Sequence, residues 1–248
     1  MKAPPAIQDI LAIEALLANI FPMKLMGHRG ARDRAPENTM RSFEALLKSK
    51  VPVVEFDIHE SADGVWVVHH DDTLDRTTTS SGPLRQKTWT ELSQVRTKEG
   101  DSLPQLEDVL ELYTDTQMEL QIELKSAGDF ARLGRTIEKN IDPSQVTVIS
   151  FNHKWLHEFK GHHPRFKTAC LLFGLPLNPV EIAQSAKAEG VSMSVHWIDD
   201  ELVKQCHEKN ITVTAWNAND FETYQRMKSL DVDILGTDIP FSAQEWTK

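Results

Sequence analysis

The sequence predicts a (β/α)8 TIM barrel, and three observations carry that prediction. Short β-branched runs alternate with longer amphipathic segments along most of the chain, the pattern of parallel strands joined by helical crossovers. The 248 residues accommodate about eight such units, close to the roughly 250 residues typical of this barrel. The turn after the first strand, "GHRGARDRAPENT", lacks the GxGxxG fingerprint of the rival open, doubly wound sheet.

The elements follow in order. Strands are expected at "KLMGH", "VPVVEFDI", "VWVVH", "MELQIEL", "QVTVIS", "FKTACLL", "GVSMSV", "ITVTAW" and "VDILGT". Helices are expected between most of them, at "TMRSFEALLKS", "LPQLEDVLELY", "GDFARLGRTIEKN", "HKWLHEFKG", "PVEIAQSAKAE", "DDELVKQCHEK" and "DFETYQRMKS". Residues 71–101 show neither strand nor helix period. A stretch that long is expected to serve a function, as a cap-like insertion after the second strand region. At the N-terminus Ile7, Ile10, Leu11, Ile13, Leu16, Leu17 and Ile20 recur at helical spacing. They predict an extra helix within residues 1–22, packed on a single domain spanning 1–248.

Composition excludes several function classes. Asp and Glu number 37 against 27 Lys and Arg, a formal net charge of −10. That balance argues against nucleic-acid binding and against electrostatic docking on anionic membranes. Asp9 and Glu14 interrupt the N-terminal apolar run, so it reads neither as a signal peptide nor as a stable membrane insertion. Cys170 and Cys206 form no CxxC pair and are expected to be inert thiols, which fits a cytoplasmic protein.

In a barrel the reactive groups sit at the C-terminal strand ends. His28 and Arg29 end the first strand. Glu55 and Asp57, at i and i+2, share one face of the second, while Val54, Phe56 and Ile58 take the other. That ExD pair fits either a hard divalent cation, Mg²⁺ or Ca²⁺, or simple solvent exposure. On "MELQIELK", Glu119, Gln121, Glu123 and Lys125 face away from Leu120, Ile122 and Leu124. The apolar face should meet the helices and turn the polar face into the barrel, bringing Glu123 towards Glu55 and Asp57. Arg29 and Lys125 beside such a site point to an anionic substrate, and phosphate fits best. In "VWVVHHDDTLDRTT" strand alternation sends His69 and His70 to opposite faces, so only one of them can reach the mouth and pair with His28 for acid–base chemistry.

Taken together and in order, "GHRGARDRAPENT", "EFDIHESADGVWVVHHDDTLDRTT", "LPQLEDVL", "IELK", "AWNAN" and "DILGTDIP" resemble the glycerophosphodiester phosphodiesterases from about Leu25 to Pro240. The resemblance implies hydrolysis of glycerophosphodiesters to sn-glycerol 3-phosphate and an alcohol. It implies His28 and His70 as the catalytic pair, Glu55, Asp57 and Glu123 as ligands of one divalent metal ion, and Arg29 and Lys125 at the phosphate. Trp216 matches a substrate-contacting tryptophan, although "WNAN" stands where the family usually has W-T-V-N. Asp71 is expected to orient His70 or shape its turn, and His69 to hydrogen-bond outside the site. A second reading is a lysophospholipase D-like activity on lysophospholipids. It would need apolar surface at the mouth, from "TWTELSQV" or "FGLPLNP". A third is a barrel that only binds, but no catalytic histidine or metal carboxylate of the pattern is missing.

Overall fold

The computed structural model describes residues 23–247, so the N-terminal helix expected within residues 1–22 lies outside the described residues. Eight parallel strands close into a barrel: β1 (Lys24–His28), β2 (Val53–Glu60), β4 (Glu119–Leu124), β5 (Val146–Ser150), β6 (Lys167–Leu172), β7 (Gly190–Ser194), β8 (Thr212–Trp216) and β9 (Ile234–Thr237). Closure comes from β1, which pairs in parallel with both β2 and β9. The remaining strand, β3 (Trp66–Val68), runs antiparallel to the end of β2. The expected (β/α)8 TIM barrel is thus the observed fold.

Helices follow the strands: α1 (Met40–Leu47), α2 (Trp89–Leu92), α3 (Leu106–Tyr113), α4 (Phe130–Asn140), α5 (His153–His162), α6 (Pro179–Ala186), α7 (Asp200–His207), α8 (Phe221–Ser229) and α9 (Pro240–Ala243). Their starts are fixed by short polar side chains that satisfy free backbone N–H groups. Thr39 accepts from the Ser42 N–H, Asp129 from Arg132, Asn178 from Glu181, Asp199 from Leu202 and Asp220 from Thr223. Each cap closes a βα loop, so these residues also hold the loops at the mouth.

The period-2 pattern of the strands sorts side chains between two environments. Val54, Phe56 and Ile58 of β2 and Leu120, Ile122 and Leu124 of β4 are buried in the main core with helix residues such as Phe43, Val109 and Leu133. The alternate residues turn inward, where Gln121 Nε2 donates across the barrel to Thr214 Oγ1 at 3.2 Å.

Residues 71–101 are ordered despite their lack of period. They contain α2, a short 3₁₀ turn at Leu84–Gln86, and isolated bridges such as Thr73 with Pro83 and Thr78 with Thr97. Val67, Leu74, Leu84, Leu92, Val95 and Leu103 form a small separate core here, with Trp89 packed against it. Arg41 of α1 clamps Asp101 through Nε and Nη2, at 3.0 and 2.6 Å, and ties the segment's end to the barrel.

Candidate active site

The site begins with the turn after β1. Gly30 has φ +89°, and a Cβ there would lie 2.3 Å from Ser42 Oγ, so both conformation and space call for glycine. Arg29 also takes a positive φ of 59°. This turn points the Arg29 N–H at Glu55 Oε2, 2.9 Å away, and carries its guanidinium to Glu37 at 2.8 Å.

Strand register assembles the carboxylates. Asp57 of β2 is paired with Glu123 of β4, while Glu55 lies beside His28 of β1. Glu55, Asp57 and Glu123 are all buried, and each offers an oxygen within 4.8 Å of the others. Burial and the Asp57 charge push Glu55 well above the usual carboxylate range and Glu123 up to about 7. Burial works the same way on Asp57, but Arg29, His70 and Lys125 outweigh it and hold Asp57 below its ordinary value. Arg29 Nε stands 3.4 Å and Lys125 Nζ 3.8 Å from Asp57, and Asn38 Nδ2 donates to Asp57 Oδ2 at 2.8 Å. Asp57 Oδ1 is buried without a hydrogen-bond partner. Three buried oxygen donors that repel one another, one with an open lone pair, fit a hard divalent cation.

Two histidines flank this cluster, each with Nδ1 on a carboxylate. The His28 Nδ1–H donates to Asp238 Oδ1 at 2.7 Å, and its Nε2 lies 4.0 Å from Glu55. The His70 Nδ1–H donates to Asp71, and its Nε2 accepts from Lys125 Nζ at 3.2 Å. Lys125 also donates to Glu123 at 2.9 Å. Burial lowers both imidazoles below the ordinary histidine value, against the upward pull of Asp238 on His28 and of Asp57 on His70. Fixing Nδ1 as the donor leaves Nε2 of each ring as the proton-exchanging atom.

His69 is buried and donates from Nε2 to the Thr73 carbonyl at 3.1 Å, away from the cluster. Thus "HHDD" divides between the site, with His70 and Asp71, and the turn.

These groups line a cavity of about 370 Å³ whose two sides differ. His28, Arg29, Glu55, His70, Glu123 and Lys125 form one side; Ile149, Phe151, Leu171, Phe173 and Trp216 form the other. The Trp216 ring packs on Ile149, Ala169 and Leu171 and meets Phe151 edge-on at 6.3 Å. Its Nε1–H is buried without a partner. Of the side chains that the resemblance gives to catalysis, metal or substrate, all but Asp57 line the cavity, and Asp57 lies directly behind it against Arg29 and Lys125.

Some participants carry no role in the sequence reading. Asp238, just past β9, is held by His28, by Asn219 Nδ2 at 2.7 Å and by Arg32. Glu37 joins Arg29 to Arg76 of the insertion, which in turn holds Asp71. Burial opposes ionisation of Glu37, yet its hydrogen bonds from Arg76 and Arg29 hold it down at about 2. His59, pushed down to about 4 chiefly by burial, donates from Nε2 to the His70 carbonyl at 3.1 Å. Glu37, Asn38 and Asp238 lie in "PENT" and "DILGTDIP", stretches that mark the resemblance, and could have been found there. "TWTELSQV" does not supply apolar surface at the mouth: Leu92 and Val95 are buried in the insertion's own core, and Trp89 packs against it. "FGLPLNP" does supply it.

The pattern of the glycerophosphoryl diester phosphodiesterase family matches residues 28–241. The chain belongs to this family. A glycerophosphodiester phosphodiesterase of Bacillus altitudinis is 30% identical over 88% of this chain and 95% of its own length. One from Caldanaerobacter subterraneus subsp. tengcongensis is 28% identical, over 87% of this chain and 94% of its own. Among solved structures, an Oleispira antarctica phosphodiesterase in complex with its product sn-glycerol-3-phosphate has the same fold. It superposes with a TM-score of 0.86 over 92% of this chain and 98% of that one, at 24% identity. Family membership makes the chain a phosphodiesterase, in line with the cavity's cationic and acidic side. Among the described residues no helix is long and apolar enough to cross a membrane. Cys170 and Cys206 are buried and unpaired, and burial pushes their thiols up to about 12 and about 11, as expected of inert thiols.

Proposed function

We propose that the chain hydrolyses glycerophosphodiesters to sn-glycerol 3-phosphate and an alcohol, with His28 and His70 as the proton-transfer pair. The observation that carries this reading is the matched pair of His–Asp contacts on either side of the acidic cluster. Glu55, Asp57 and Glu123 would hold Mg²⁺ or Ca²⁺. When bound, that ion supplies positive charge for a phosphoryl oxygen and relieves the repulsion among its ligands.

The chain's own residues account for the rest. Arg29 and Lys125 offset charge growing on the phosphoryl oxygens. One imidazole takes the proton of the attacking hydroxyl at Nε2; the other, protonated there, gives its proton to the departing alkoxide. Asp238 and Asp71 stabilise whichever ring is an imidazolium and keep both rings aimed inward. Trp216 offers an aromatic face to the substrate's carbon skeleton. The absence of a spanning helix among the described residues and the −10 charge are compatible with a cytoplasmic enzyme acting on a small dissolved substrate.

The test is release of glycerol 3-phosphate from glycerophosphocholine by purified protein. Activity is expected with Mg²⁺ or Ca²⁺, lost on chelation and restored by adding the ion back. Unchanged turnover after exhaustive chelation would overturn the metal reading, and no turnover of any glycerophosphodiester would overturn the whole proposal.

A further inference from the structure

Asp238 and Asp71 hold the two histidines, and arginines hold both of these carboxylates in turn. Arg32 Nη1 donates to Asp238 Oδ1, and Arg76 forks onto Asp71 through Nε at 2.6 Å and Nη2 at 3.0 Å. The two arginines converge on one carboxylate, Glu37. Arg76 donates to its Oε1 from Nη2 at 2.7 Å and to its Oε2 from Nη1 at 3.2 Å, and Arg32 Nη2 stands 3.3 Å from Oε2. An unbroken chain of polar contacts thus runs from one imidazole to the other through Asp238, Arg32, Glu37, Arg76 and Asp71. Arg76 belongs to the insertion, and Glu37 to the "PENT" turn between β1 and α1.

Stability is a poor reason for such a chain. Taking the Glu37 carboxylate out of water is costly, and Arg76 is half exposed, where an ion pair adds little. The insertion does not need Arg76 as its anchor either: it has its own core, and Arg41 ties it to the barrel through Asp101. What the chain fixes is the placement of the two rings relative to each other. The attacking and departing oxygens lie roughly in line through phosphorus, so both Nε2 atoms must be in place in the same turnover, and a small misplacement is costly in rate. A planar guanidinium suits that task because its donors form a rigid fork, and Arg76 uses Nε, Nη1 and Nη2 at once.

We propose that Glu37 is the common positioning residue of His28 and His70, and that Arg76 is the arm by which it holds His70. The inference rests on the phosphodiesterase reading above and gives the insertion a part in it, that of delivering Arg76 to the site. Glu37 also carries Arg29, whose Nη1 donates to it at 2.8 Å. Arg76 is therefore the position to change, since its loss leaves the Arg29 contact in place.

The experiment measures kcat and KM for glycerophosphocholine, in metal-replete buffer, for Arg76→Met, Arg76→Lys, Asp238→Asn and the double variant Arg76→Met with Asp238→Asn. Folding is checked by circular dichroism. Arg76→Met should lower kcat by about 10–100-fold, the size of a lost histidine-orienting partner, with KM little changed. Arg76→Lys should recover only part of that loss, because an ammonium keeps the charge and cannot form the fork. Asp238 lies at the far end of the chain of contacts. The double variant should therefore lose at least about threefold less than the product of the two single losses, the mark of groups that act as one unit. Single losses that simply multiply would mean two rings held independently and would overturn the proposal. Full recovery in Arg76→Lys would leave charge as the only requirement, and a raised KM with kcat unchanged would put Arg76 on the substrate; either result also overturns it. So does a lower melting temperature with kcat unchanged, which is the pattern of a structural ion pair. In each of these cases the unmodified protein still turns over and the phosphodiesterase reading stands. No turnover of any glycerophosphodiester by the unmodified protein would overturn that reading and this role together.

Discussion

The two sides of the barrel mouth are built on opposite principles. On the β1, β2 and β4 side, every functional group is held by another: Asp57 by Asn38, His28 by Asp238, His70 by Asp71, Arg29 by Glu37. On the β5, β6 and β8 side the groups facing the cavity are apolar except Asn217, and Phe151 and Phe173 are exposed. Charged groups taken out of water must be paired or they stay neutral, so the groups of the first side hold one another in place. Exposed Phe and Leu side chains need no partner in the free protein and gain one only with substrate. On the proposed reading, the chemistry belongs to the first side and the choice of substrate to the second. Mutations should separate accordingly: kcat should fall on one side and KM should rise on the other.

The largest effect tests that division directly. His28→Ala or His70→Ala should lower kcat for glycerophosphocholine by on the order of 10²–10⁴, with the circular dichroism spectrum unchanged. A variant that kept full activity in metal-replete buffer would remove that histidine from the proton-transfer pair. Asp238→Asn should cost less, roughly 10–100-fold in kcat by analogy with lost histidine-orienting partners, because the ring remains but its tautomer and aim are loosened. The pH dependence of kcat should shift with it, since Asp238 raises the His28 pKa through their hydrogen bond. A purely structural role would lower the melting temperature and leave that profile in place.

The acidic cluster gives a stability prediction with a definite sign. Glu123 is raised from 4.5 to about 7 in the folded, metal-free protein, chiefly by burial and by the Asp57 charge. Between those values the folded state keeps a proton on Glu123 that the unfolded chain has lost, so this group's contribution to metal-free stability falls as pH rises from about 4.5 to 7, against the opposite contribution of the buried His28, His59, His69 and His70. A divalent cation competes with that proton, so its stabilising effect should grow over the same range. At a concentration near 100 times its Kd the ion should raise Tm by roughly 5–10 °C at neutral pH. The shift should shrink towards pH 5. A thermal melt series with and without Mg²⁺ or Ca²⁺ checks this, and a shift that grew on acidification would move the cation away from Glu55, Asp57 and Glu123.

Much of the charged side was legible in the sequence because strand alternation is a strong local rule. Glu123 and Lys125 could be turned towards the barrel mouth simply because Leu120, Ile122 and Leu124 had to meet helices. The same rule showed that His69 and His70 must part. What escaped depended on contacts with no local signature. Asp238 meets His28 across 210 positions of sequence, and only barrel closure brings β9 beside β1. The insertion's core uses Val67, Leu74, Leu84, Leu92, Val95 and Leu103, whose spacing fits no helix or strand, so its order was invisible and "TWTELSQV" passed for surface. The apolar rim was legible only as a choice between two segments, because an exposed Leu in a loop looks the same whether it lines a groove or not.

The smallest expected effect lies where the two sides meet. Trp216 contributes its ring to the apolar wall, yet its Nε1–H is buried with no acceptor. A buried donor left unpaired is costly unless something fills the vacancy, and the cavity beside it is where a substrate oxygen would lie. Trp216→Phe keeps an aromatic face and removes that donor together with part of the ring's volume. If the N–H meets substrate, KM for glycerophosphocholine should rise by roughly 2–10-fold, the size of one neutral hydrogen bond, with kcat little changed. If it meets nothing, KM should stay where it was. That second pattern would take the indole N–H out of substrate binding and leave Trp216 as apolar wall alone.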